Sequence, residues 1–387
     1  MRQWASNGRL TVLFVPLEPG DTGNIHRGHA MARALSWRYR VLGIRRRQGF
    51  PAPNEAIRYL KLLAYWWRVL LLGLRQRQHI DLIFCENIHA VVGAVLVLLT
   101  GKPCLWDVET ESTLYMRAWR RSRLLAAVHL ALERLAWPRM AVLLAPCRED
   151  RRRYLGRGFA PERVYVVPNS VDPSRLDGRE AKAAAAVKAR LGMGPQAPLL
   201  LFSGNRAHLP NAEAAAWINA QLAPAVAQRF PDARIILTGG GEPPSPLASN
   251  VIVVGYVPNI YEYVAAADVC LAPLWQSTGI PGKVIEYMVM GKAIVASRLV
   301  RGIPELEDGV TAMLAADGRE FIDKTLYLLS DPRARETLGQ QATQAARRTY
   351  LLPQVAEARL YPLVEAVAGD AVSQETHNHA QDGPIGG

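Results

Sequence analysis

Short apolar runs alternate with longer amphipathic segments along this chain, and the alternation occurs twice, in two successive stretches. A strand covered on both faces reads as a continuous apolar run, and an intervening helix returns the chain so that the next strand lies parallel to the last. The pattern therefore predicts an α/β fold with doubly wound parallel sheets. In the first stretch the predicted strands are Leu10–Val15, Val41–Ile44, Leu82–Cys85, Cys104–Asp107, Val142–Ala145 and Val164–Val167. Helices are predicted between them at Arg27–Tyr39, Ile57–Arg77, Ile88–Thr100 and Tyr115–Ala136. The second stretch predicts strands at Leu199–Ser203, Arg234–Thr238, Val251–Val254, Val269–Ala272 and Ala293–Ser297. Its helices are Glu180–Leu191, Asn211–Phe230, Ile260–Ala266, Lys283–Met290, Arg319–Ser330, Pro332–Arg348 and Leu351–Val367.

At 387 residues the chain exceeds one ordinary core, and half of it is hydrophobic, so two domains can each bury a core. The Pro-Asn-Ser-Val-Asp-Pro stretch at 168–173 marks the junction. The expected organisation is a first domain over 1–172, a second over 173–348, a helix over 349–367 returning to the first domain, and a disordered tail over 368–387. Ligands should sit at the carboxyl ends of the strands, in a cleft between the two domains.

No apolar run approaches the roughly 20 residues that span a bilayer; Ala90–Leu99 stops at Thr100-Gly101-Lys102 and reads as a buried helix. The N-terminus runs almost directly into a strand, which predicts no secretory signal. Cys85, Cys104, Cys147 and Cys270 stand singly in apolar contexts without metal-ligand spacing, as reduced core thiols of a cytoplasmic protein would. Charge is uneven. Residues 1–168 hold 27 of the 46 Lys and Arg and 12 of the 34 Asp and Glu, a net +15, whereas the remainder nets −3. Such asymmetry points the first domain at a polyanion.

The segment Thr278-Gly-Ile-Pro-Gly-Lys283-Val-Ile-Glu286 couples a Gly/Pro loop to a helix start. Backbone N–H groups and the positive dipole end suit a diphosphate there, and Lys283 adds a point charge. Glu286, one turn on, shares the face of Lys283 and can accept from two ribose hydroxyls. The same residues also suit an ordinary helix with a solvated Lys and Glu.

This segment resembles the donor-binding motif of glycosyltransferase family 4. In that family a Glu-x7-Glu pair brackets a phosphate-binding lysine, and the second Glu binds the ribose. Here the first Glu position holds Thr278. Further likenesses follow in the family's order: the glycine loop Pro19-Gly-Asp-Thr-Gly23-Asn24-Ile-His-Arg27, the junction Val167-Pro-Asn-Ser-Val-Asp172, the segment Phe202-Ser-Gly-Asn-Arg206 with Leu209-Pro-Asn-Ala212, and Gly255-Tyr-Val-Pro258. The resemblance implies the GT-B architecture, two Rossmann-like domains facing each other across a cleft. It implies donor binding by Gly23, Asn24, Arg206, Thr278, Gly279, Ile280, Pro281, Gly282, Lys283 and Glu286. Arg206 suits part of the charge of a lysine the family carries after this strand, and equally suits a solvated loop position.

Many members place a His after the strand matching Cys104–Trp106; this chain has Asp107-Val-Glu109-Thr-Glu111-Ser112 instead. Asp107 and Glu109 are the candidate acceptor-side catalytic carboxylates. Glu111 or Ser112 equally suits a helix cap. His26 and His29, beside the glycine loop, suit structural hydrogen bonding as well as catalysis.

The resemblance implies a retaining transfer, without metal or other cofactor, from a nucleoside-diphosphate sugar to a glycan or lipid-linked acceptor. The basic aromatic stretches Ala56–Gln78 and Met116–Arg139 suit an anionic membrane surface better than nucleic acid, because no nucleic-acid motif accompanies them. The expected place is the cytoplasm, peripheral on the inner face of the cell membrane. Two other readings of the fold remain: a sugar-nucleotide 2-epimerase and a non-catalytic nucleotide-sugar-binding subunit.

Overall fold

The computed structural model describes residues 10–15, 27–43, 55–109, 123–176, 180–276, 280–300 and 302–369. Gly23, Asn24, His26, Glu111, Ser112, Thr278 and Gly279 lie outside them.

The described residues form two six-stranded, wholly parallel sheets. The first comprises β1 (Thr11–Val15), β2 (Arg40–Leu42), β3 (Leu82–Glu86), β4 (Cys104–Asp107), β5 (Val142–Ala145) and β6 (Val164–Val166), in the order β2-β1-β3-β4-β5-β6. The second comprises β7 (Leu199–Ser203), β8 (Arg234–Thr238), β9 (Val251–Gly255), β10 (Val269–Ala272), β11 (Ala293–Ser297) and β12 (Met313–Ala315), in the order β12-β11-β10-β7-β8-β9. Each sheet reverses its winding beside its first strand, between β1 and β3 and between β7 and β10. Such a reversal leaves a crevice at the carboxyl ends.

Helices cover both faces of each sheet. On the first sheet, Arg27–Arg38 and the C-terminal helical segment bury Met31, Leu35, Leu352, Leu360 and Val364 against Val12 and Phe14. The opposite face takes Glu55–Arg75, Ala90–Thr100 and Arg123–Ala136, which bury Tyr65, Val69, Leu96 and Ala136 around Trp106. The chain thus returns to the first sheet after Thr349. Its two crossings run side by side, with Val171 N–H donating to Tyr350 O and Leu352 N–H to Val171 O, each at 2.8 Å.

One predicted helix is divided, and two elements were not predicted. The helix expected over Asn211–Phe230 is Leu209–Trp217, a π-turn at Ile218–Leu222 and Ala223–Arg229. Pro224 has no N–H to give the preceding turn, and the wider turn accommodates its ring. Helix Arg148–Gly156 was not expected, because its REDRRRYLG sequence buries only Asp150 and Tyr154 and so carries little apolar periodicity. Strand β12 was also unexpected, being an edge strand of three residues.

Candidate functional site

Both crevices are furnished with charge. In the first domain, Arg27 begins the helix after β1 and is buried. Its Nε and Nη2 donate to the carboxylate of Asp107, at the end of β4, at 2.9 and 2.7 Å. Its Nη1 donates to Asn169 Oδ1 at 3.2 Å. Glu86 ends β3 in register with Asp107, and its carboxylate lies directly over Gly28, where a Cβ would displace it. Asn87 follows with φ of 44°, a left-handed conformation that asparagine tolerates better than most residues. Held this way, Asn87 accepts from Glu109 N–H through Oδ1 and from Trp106 Nε1 through its carbonyl, fixing the loop beyond β4.

Burial pushes the Asp107 carboxyl upward while Arg27 pulls it down, and Glu109 is raised by burial against the same arginine. Asp107 is the buried counterion of Arg27. Glu109 is the half-buried carboxylate beside it. Arg27 and Asp107 are 80 residues apart, and sequence spacing alone could not pair them.

The second crevice is built from β7 and from helix Gly282–Val289, which follows β10. Pro281 precedes that helix without a side-chain cap; its carbonyl accepts Val284 N–H at 3.0 Å, and it offers no side-chain acceptor to the Gly282 and Lys283 N–H groups. Lys283 is buried, lies 4.1 Å from the Phe202 ring centroid and donates to Asn211 Oδ1 at 2.7 Å. A Cβ on Gly204 would stand 2.7 Å from Lys283 Nζ and 2.7 Å from Asn211 Cγ, so the lysine occupies space that only glycine leaves. Glu286 is buried, and its Oε2 has no hydrogen-bond partner among the described residues. The buried Tyr261 hydroxyl likewise lacks one. Desolvation lowers Lys283 to about 7, against the pull of Glu286. It raises Glu286 to about 7, against Arg175 and Lys283. Burial and the charge of Lys283 hold His208 down at about 4.

An unpartnered buried carboxylate oxygen costs free energy, and structures retain such an atom where something else uses it. Here it sits one helical turn from a buried lysine whose positive charge is itself destabilised. The pair suits a ligand that presents a diphosphate to one group and vicinal hydroxyls to the other. Among the described residues, no group of three or more His, Cys, Asp or Glu is arranged to hold a metal ion.

Of the donor-side residues named from sequence, the structure brings together Ile280, Pro281, Gly282, Lys283 and Glu286. Arg206 is turned elsewhere: its guanidinium donates to Glu242 O, Thr238 O and Gly241 O at 3.2, 3.3 and 3.0 Å. It braces the glycine loop after β8 through one N–H on each of its three nitrogens. Sequence reasoning did not single out Arg27, Arg175, Tyr261 or Asn169. Asn169 Nδ2 reaches Ile280 O at 3.4 Å and so joins the two crevices. Its place in the Val167–Asp172 junction was the available signal.

Two family profiles match successive parts of the chain: Glycosyltransferase Family 4 over residues 12–175 and Glycosyl transferases group 1 over residues 197–331. The structure is similar to Anabaena Alr3699/HepE in complex with UDP-glucose, at 17% identity and a TM-score of 0.68, covering 92% of this chain and 100% of that one. It is similar to the same degree, with the same coverages, to a sucrose-phosphate synthase from Thermosynechococcus elongatus. A trehalose synthase from Pyrococcus horikoshii is 34% identical over 70 residues, so this chain spans 17% of the length of that curated relative. No helix of the described residues is long and apolar enough to cross a membrane.

Proposed function

Because the chain belongs to the family 4-like glycosyltransferases of GT-B fold, we propose that it moves a hexosyl group, with retention and without metal, from a nucleoside-diphosphate sugar to a lipid-linked or glycan acceptor at the inner membrane surface. The observation that carries this reading is the buried pair Lys283 and Glu286 at the start of helix Gly282–Val289, with Glu286 Oε2 unpartnered among the described residues. HepE, similar in fold, is described in complex with UDP-glucose, which supports a nucleotide-sugar donor here.

In this reading Glu286 accepts from the ribose hydroxyls. Lys283 and the first-turn N–H groups neutralise the diphosphate as it takes up charge on leaving. The diphosphate replaces Asn211 as the partner of Lys283 and so favours the charged lysine. The reading keeps Gly23, Asn24, Thr278 and Gly279 as donor contacts. On the acceptor side Glu109 orients the incoming hydroxyl, while Asp107 acts through Arg27. The excess of basic residues over 1–168 favours an acceptor held at an anionic surface, in a polysaccharide- or glycolipid-assembly role.

The test is a thermal-shift screen of the purified protein against UDP, GDP, ADP, CMP and dTDP in the presence of a chelator. A ligand at 100 times its Kd adds about 2.7 kcal/mol of stability. One nucleoside diphosphate should stand out from the rest. A flat response to all five would remove the donor site from the account.

A further inference from the structure

Three helices on one face of the first sheet present apolar side chains outward as well as inward. On Glu55–Arg75, the residues Leu60, Leu63, Trp67 and Leu74 follow one another at helical spacing and are exposed, Leu60 by 65% and Trp67 by 62%. Tyr65 and Val69, on the inner side of the same helix, carry its core contacts. The neighbouring helix Ala90–Thr100 exposes Leu98 by 66%, together with Leu99. Beyond it, Arg123–Ala136 exposes Leu124 by 74%, with Val128 and Leu135 further along. The three helices pack side by side, so their outward apolar stripes adjoin. Scattered exposed leucines need no explanation, but adjoining stripes on three neighbouring helices make a patch of the kind that marks a binding surface.

Charge identifies the partner. Among the described side chains of these helices, the exposed charges are Arg68, Arg75 and Arg134, all positive. The acid Glu133 is buried, with Arg157 Nη2 at 3.3 Å. Leucine with tryptophan, flanked by arginine and with no exposed acid among the described side chains, matches the boundary between anionic headgroups and acyl chains. Each of the three helices follows its strand and therefore begins at the carboxyl edge of the sheet, the edge that carries Arg27, Asp107 and Glu109. A bilayer lying along these helices would reach the rim of the acceptor crevice.

We propose that this face enters the outer part of an anionic lipid bilayer, with Leu60, Leu63, Trp67, Leu98 and Leu124 as the inserting side chains and Arg68, Arg75 and Arg134 at headgroup level. The inference rests on the reading of the first domain as the acceptor side, and it goes further in naming the lipid surface and the residues that enter it. Insertion differs from adsorption by charge alone, because its apolar part survives salt while its electrostatic part is screened.

The experiment measures partitioning of the full chain onto vesicles of phosphatidylcholine with phosphatidylglycerol, at low and high salt. It compares the native chain with Leu60→Ser/Leu63→Ser/Leu98→Ser and with Arg68→Gln/Arg75→Gln/Arg134→Gln. Each exposed leucine lost from the lipid should cost roughly a factor of ten, so the leucine variant should bind about a thousandfold more weakly at either salt concentration. The arginine variant should lose binding at low salt and match the native chain at high salt. Light scattering without vesicles and nucleotide affinity are measured on the same samples. Partitioning of the leucine variant equal to that of the native chain would overturn the proposal. So would absence of native binding, or native self-association that the leucine substitutions abolish, since the face would then bind a second copy. Vesicle binding in a chain that binds no nucleotide would leave this inference standing while the transferase reading fell.

Discussion

Replacing Glu286 by glutamine should separate stability from function. The carboxyl is raised from 4.5 to about 7 in the folded chain because burial penalises its charge. Between those values the folded state binds more protons than the unfolded state, so stability falls as pH rises from about 4.5 to 7 and is level above that. At 1.36 kcal/mol per unit, the cost of holding the carboxylate at pH 8 is about 3 kcal/mol. Glutamine carries no such charge penalty, although Lys283 loses an attractive neighbour. The unliganded Glu286→Gln protein should therefore be about 1–2 kcal/mol more stable than the native one at pH 8 and no more stable at pH 5. Nucleotide binding should move the other way. Charge-assisted hydrogen bonds contribute about 1.5–3 kcal/mol, so affinity for the preferred nucleoside diphosphate should drop about 10- to 150-fold. Urea denaturation at both pH values and calorimetric titration of the nucleotide read the two effects. Unchanged nucleotide affinity would refute the assignment of Glu286 to the ribose. A variant less stable than the native protein at pH 8 would refute the burial argument itself.

Lys283 at about 7 in the free protein implies that a bound diphosphate draws a proton onto it above neutrality, so affinity should fall as pH rises from 7 to 9. Calorimetry in buffers of different ionisation enthalpy should show proton uptake on binding. Gly204→Ala places a methyl 2.7 Å from Lys283 Nζ and should cost about 1–3 kcal/mol in thermal melts while weakening nucleotide binding. Arg27→Ala leaves Asp107 buried without its counterion and should cost about 3–5 kcal/mol, of which Asp107→Asn added to it should restore part. Equal stabilities of the single and double variants would contradict the pairing.

The strands were legible because parallel strands covered on both faces are mostly apolar: β1, β3 and β7 are buried at every position, with polar residues only at their ends. Helix Arg148–Gly156 was not, since six of its nine residues are charged; its start is marked instead by Cys147 Sγ accepting from Asp150 N–H. The closeness of Lys283 and Glu286 was legible because they lie on one turn of one helix, so spacing alone sets their geometry. The charged cluster of the first crevice depends on Arg27, Glu86, Asp107 and Asn169, which four separate segments bring together. The type of each residue was visible, but its partner was not. Arg206 shows the same limit: a basic residue at the expected position turned its guanidinium onto the carbonyls of a loop more than thirty residues away.

The central claim is transfer, and radiolabelled nucleotide sugars tested one at a time with membrane lipid extract, in chelator, test it most directly. The account predicts that one donor labels the lipid or glycan fraction, with nucleoside diphosphate released in equal amount, and that Lys283→Ala abolishes both. Donor consumption without label in any acceptor would instead indicate isomerisation or hydrolysis, and no consumption of any donor would contradict the account.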